Sequence, residues 1–103
     1  METKNVKECY ELLKNKECEL IDVRSPEEHI EGRINFISKN LPLDEIKSWM
    51  KDLDKSKKYI IYCRSGGRSS FACQVLNDNG FNIINLSGGI MSWISEDLEI
   101  TSN

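Results

Sequence analysis

Two rhythms of apolar and polar positions run along the chain. Val6, Cys9, Tyr10 and Leu13 recur at helical steps and predict a first helix. The run "ELIDV" (19–23) is short and apolar, the pattern of a buried strand. "SPEEHI" (25–30) offers Ser25 as an N-cap and Pro26 at the first helical position, so a short helix follows. A short strand is expected around Ile34 to Ile37, and a third helix from the series Leu43, Ile46, Met50 and Leu53. "YIIY" (59–62) is β-branched and aromatic and apolar throughout, which predicts a central strand. Ser69 to Asn79 reads as a helix ended by Gly80, "FNIINL" (81–86) as a strand, and Ile90, Trp93 and Ile94 as a last helical face. Strands alternating with helices imply an α/β domain with a mostly parallel sheet. Ligands bind such sheets at the carboxyl ends of the strands, where Cys63 falls.

The chain has 103 residues, enough for one domain and a core without disulfide staples. Its net charge of −3 argues against a general nucleic-acid or anionic-membrane binder. No stretch is long and apolar enough for a signal peptide or a bilayer span, so a cytoplasmic protein with reduced thiols is expected. Cys9, Cys18, Cys63 and Cys73 are scattered, and His29 is the only histidine. That spacing predicts no metal site.

The chemistry concentrates in "YCRSGGRSS" (62–70). Cys63 sits between a buried strand and a helix beginning near Ser69. Gly66 and Gly67 let the backbone curl with its N–H groups inward, an anion cradle beside a helix N-terminus. Arg64 and Arg68 add two positive charges. A free thiol titrates at about 8.5, and this setting should lower it. One loop could thus activate a nucleophile and bind the group it attacks.

Four segments, "LIDVRSPEEHIEG" (20–32), "IIYCRSGGRSS" (60–70), "LNDNGF" (76–81) and "NLSGGIMSW" (85–93), together resemble the rhodanese family of sulfurtransferases, in its order and at about its spacings. The resemblance covers about residues 5 to 97. It implies a central, mainly parallel sheet of about five strands with helices on both faces, in a single domain over 1–103. It implies Cys63 as the catalytic residue, carrying sulfur as a persulfide with no other cofactor. Arg64, Ser65, Gly66, Gly67, Arg68 and Ser69 would bind substrate. Asp22 and Arg24 would brace the site, and Gly88, Gly89 and Trp93 would be structural. The expected partners are a small anionic donor such as thiosulfate and a thiol or protein acceptor, and a monomer is the default. Two departures stand out. "GRINFISKNLP" (32–42) replaces the family's "GHIPGAINIP", and "METKN" is so brief and polar that the first edge strand is expected to be truncated or missing.

Rival readings are phosphatase or arsenate reductase chemistry and a carrier or docking module. The resembling phosphatases place five residues between cysteine and arginine, and here four separate Cys63 from Arg68. A docking module often lacks the cysteine. Cys73 and Cys9 are expected in the core, with Cys73 at the edge of an arc of Phe71, Ala72, Val75 and Leu76, and Cys18 in an exposed turn. His29 is expected on a solvated helix face. Trp49 and Trp93 are expected to pack.

Overall fold

The computed structural model describes residues 1–103. Its centre is a five-stranded sheet in the order β1-β6-β5-β2-β4, built from β1 (Glu2–Lys4), β2 (Glu19–Asp22), β4 (Ser38–Asn40), β5 (Lys58–Tyr62) and β6 (Asn82–Leu86). Every neighbouring pair is parallel. Helices α1 (Val6–Lys14), α2 (Pro26–Glu31), α3 (Ile46–Trp49), α4 (Gly67–Asp78) and α5 (Gly89–Ser95) lie between the strands in sequence. A separate antiparallel ladder joins β3 (Arg33–Ile34) to β7 (Ile100–Thr101). None of the helices is long and apolar enough to cross a membrane.

Strand β5 is central because both of its faces are apolar. Tyr59, Ile61 and the following Cys63 face a core with Ile46 and Trp49 of α3 and Ala72, Cys73 and Leu76 of α4. Ile60 and Tyr62 face the other core, with Val6, Cys9 and Leu13 of α1 and Ile90 and Trp93 of α5. The helices therefore cover both faces. Tyr10, Phe36 and Trp93 meet there edge-on or tilted, with ring centroids 5.8 to 6.1 Å apart.

Three sequence expectations are corrected and one is narrowed. The polar "METKN" forms the edge strand, truncated to three residues rather than missing: β1 pairs with β6, Glu2 opposite Ile84 and Lys4 opposite Leu86. The strand expected at 34–37 is split. Ile34 pairs with Ile100 in the small ladder, while the main sheet takes Ser38–Asn40 against β2. Ile34 is buried and Ile37 is almost fully exposed, so the run is a crossing between two sheets. The third helix is only one turn of α3, flanked by 3₁₀ turns at Leu43–Glu45 and Met50–Asp52. Glu45, at φ −111° and ψ 19°, interrupts it, although Ile46 and Trp49 still face inward. In α4 the buried arc is Ser69, Ala72, Cys73 and Leu76, an i, i+3, i+4, i+7 stripe that includes Cys73 fully, while Phe71 points outward.

Candidate active site

Cys63 follows β5 at the carboxyl end of the sheet and is buried at the base of the loop 63–69. Its Sγ accepts hydrogen bonds from the backbone N–H of Gly66 at 3.1 Å and of Ser69 at 3.3 Å. The Ser69 hydroxyl lies 3.4 Å from Sγ. In the thiol form the S–H donates to Ser69 Oγ, whose hydrogen reaches Gly66 O at 3.2 Å. In the thiolate form the same hydroxyl can turn and donate to sulfur.

Gly66 sits at φ 114°, a conformation other residues rarely adopt, and this turns its N–H onto Sγ. Gly67 has no such demand: a Cβ there would meet open space. Only one of the two loop glycines is therefore required by the backbone. Helix α4 starts at Gly67, so the N–H of Ser69 is one of its unpaired first-turn donors, aimed at sulfur.

A second turn holds the loop from below. Gly88 and Gly89, at φ 79° and 61°, start α5 directly under it. Ile90 N donates to Cys63 O at 2.9 Å and Met91 N to Arg64 O at 3.1 Å. These bonds fix the carbonyls of the loop's first two residues downward, which leaves its amides free to face the sulfur. A Cβ on Gly89 would sit 2.5 Å from Arg64 O and closer still to Cys63 O, so a larger residue would force the loop carbonyls to move.

Burial pushes the Cys63 thiol up, but the Ser69 hydroxyl and the amides of Ser69, Gly66 and Ser65 outweigh it, and the group ends below its ordinary value. The arginine charges are not among the principal causes. Arg64 is exposed and forms no ion pair. Arg68 spends its fork on Glu28, with Nη1 to Oε1 at 2.8 Å and Nη2 to Oε2 at 2.9 Å. This pair and the Ser25 hydrogen bonds hold the Glu28 carboxyl down at about 2.

Asp22 and Arg24 lie next to the loop at the end of β2, with Asp22 opposite Tyr62. Both are buried. Arg24 Nη2 donates to Asp22 Oδ2 at 2.8 Å and to Gly32 O at 2.6 Å, and its Nε donates to Oδ1 at 3.0 Å. The guanidinium also lies over the Tyr62 ring, 5.5 Å from its centroid. His29 corrects the sequence expectation of a solvated face. Its Nδ1 is 2.9 Å from Asp22 Oδ2, and only 17% of the side chain is exposed. Asp22 thus ties strand β2 to helix α2, and Glu28 ties α2 to the loop. Sequence reading missed Glu28, although its place three residues after Ser25 marks it as a capping-box residue.

The rhodanese-like domain model matches residues 5–96. The chain belongs to the rhodanese-like family. A Bacillus subtilis (strain 168) relative is 42% identical over 82 residues, covering 80% of this chain and 79% of its own. A protein of Allochromatium vinosum named sulfurtransferase is 38% identical over 84 residues, covering 81% and 78%. Among solved structures, a rhodanese-related protein from Thermoplasma volcanium superposes with a TM-score of 0.92 at 36% identity over the whole of both chains. The polysulfide-sulfur transferase homodimer of Wolinella succinogenes gives a TM-score of 0.82 at 27% identity, covering 100% of this chain and 80% of that one. This rhodanese-like chain shares their fold and belongs with relatives named sulfurtransferases.

Proposed function

We propose that the protein is a sulfurtransferase that carries sulfane sulfur as a persulfide on Cys63. The observation that carries this reading is the seat of Sγ: a buried thiol held by two amides and a hydroxyl at a helix N-terminus, with its ionisation favoured. Such a thiolate needs no separate base. It attacks the outer sulfur of a donor such as thiosulfate; the new S–S bond forms as the sulfur–sulfur bond of the donor breaks, and sulfite leaves with the electron pair. The exposed Arg64 and the loop amides ease the charge of the departing group. The persulfide then gives its outer sulfur to an attacking thiolate or to cyanide, and Cys63 returns as thiolate. The donor would be a small anion or a persulfide and the acceptor a thiol, free or on a protein. No metal or further cofactor enters this cycle, and a cytoplasmic setting suits a reduced thiol.

The name of the Wolinella protein supports donors of the sulfane class. A phosphatase reading is less well served. It needs an arginine free to wrap an oxyanion, and Arg68 is clamped by Glu28. Intact mass after brief incubation with a sulfane donor tests the proposal. Wild type should gain the mass of one sulfur atom and lose it as thiocyanate on addition of cyanide, and Cys63→Ser should do neither. An adduct retained by Cys63→Ser would refute the role of this residue.

A further inference from the structure

The loop carries two arginines, yet only one has a charge to give. Glu28 Oε1 accepts from Ser25 N and Ser25 Oγ, each at 3.1 Å, as well as from Arg68 Nη1. It is therefore anchored at the N-terminus of α2 and cannot swing away to release the arginine. Arg68 also shares a cleft with Val23, Ser25, Pro42, Leu43 and Asp44, which places a second carboxylate on the same rim. At this rim Arg68 meets the anions Glu28 and Asp44, while Arg64 is exposed and makes no ion pair. Any oxyanion that reaches Arg68 must also approach the carboxylate of Glu28.

We infer that Glu28 sets the charge of the sulfur donor: by occupying Arg68 it leaves one free cation, so the site prefers donors bearing a single negative charge to the thiosulfate dianion. This rests on the sulfur-transfer reading above. The favoured class is monoanionic thiosulfonates and hydropersulfides. With methanethiosulfonate the step balances as Cys63–S⁻ plus CH₃SO₂S⁻ giving Cys63–S–S⁻ plus CH₃SO₂⁻. The sulfur–sulfur bond of the donor breaks, and methanesulfinate leaves with its electron pair. That donor differs from thiosulfate by a methyl group in place of one charged oxygen, so the pair isolates charge from shape.

The test is kcat/KM for thiocyanate formation with each donor, in wild type and in Glu28→Gln. Glutamine can still cap the helix at this position, and the ratio of the two donors cancels their intrinsic reactivities. The thiosulfate-to-methanethiosulfonate ratio should rise on the order of tenfold in Glu28→Gln, as the repulsive charge is removed and Arg68 is released. Raising salt should narrow the wild-type gap by screening the same charges. Arg68→Met, which strands Glu28 on the rim, should move the ratio the other way. An unchanged ratio in both variants, with Cys63 still loading, overturns the role of Glu28 and leaves sulfur transfer standing. Failure of every donor to load wild-type Cys63 overturns the sulfur-transfer reading, and this inference with it.

Discussion

Replacing Gly89 with alanine should damage the thiol without touching it. Gly89 lies at φ 61°, and its missing side chain makes room for the carbonyls of Cys63 and Arg64. Holding alanine in that conformation costs about 1–2 kcal/mol. The carbonyls must also retreat by at least about half an ångström, because close-packed backbone cannot overlap a methyl group. That retreat stretches the hydrogen bonds from Ile90 N and Met91 N, each worth about 0.5–1.5 kcal/mol. The total, about 2–5 kcal/mol, falls at or below the stability of a domain of this size, so part of the population should remain folded. The functional effect comes from rotation of the loop peptides away from Sγ. Loss of one hydrogen bond to an ionised group, about 1.5–3 kcal/mol, raises the thiol midpoint by about one to two pH units. The sign follows from the depressed value in the native loop: the thiolate is the form the amides favour, so weaker amides move titration upward. The assay is the pH dependence of alkylation by iodoacetamide in a Cys18→Ser background, with urea unfolding alongside. Gly67→Ala, which meets open space, should leave stability nearly unchanged. A folded Gly89→Ala protein with the wild-type alkylation midpoint would refute the claim that the turn under the loop aims its amides.

Two further outcomes follow from the same geometry. Ser69→Ala should raise the Cys63 alkylation midpoint by about one unit, because a hydroxyl bond to the thiolate is lost, whereas Arg64→Met should move it much less; the reverse ranking would return control of the thiol to the arginine. Arg24→Met leaves the fully buried Asp22 carboxylate short of its main partner and should cost about 3–5 kcal/mol in urea unfolding; a loss under about 1 kcal/mol would mean that His29 and the Arg24 backbone N–H suffice for Asp22.

The loop was legible in the sequence because it is local. Strand end, cysteine, glycine turn and helix start occupy adjacent positions, and each has a residue signature. The partners that complete the site come from elsewhere in the chain. Glu28 stands 40 residues before Arg68, and the His29 bond to Asp22 joins a helix to the end of a strand. Helix α2 buries none of its residues fully, so its pattern reads as solvated even though two of its side chains lie against the site. The two arginines looked alike in sequence, and only the fold shows that one is paired. Strand β1 had no apolar signal because it is a mostly exposed edge, and it exists through its backbone pairing with β6. The run "INFI" misled because its alternation serves two ladders with different partners.

The other three thiols determine how long a transferred atom would stay. Burial pushes Cys73, in the same core as Cys63, up to about 12, and likewise Cys9 on the opposite face of the sheet. Cys18 is half-buried just before β2, at the far end of the sheet from Cys63, and burial raises it as well. At neutral pH none of them competes with Cys63 as a nucleophile. A persulfide on Cys63 would therefore meet no readily ionised thiol in its own chain to resolve it as an internal disulfide. Under the proposed persulfide cycle, its lifetime would be governed by the supply of outside acceptors, and one chain would serve as both catalyst and temporary store.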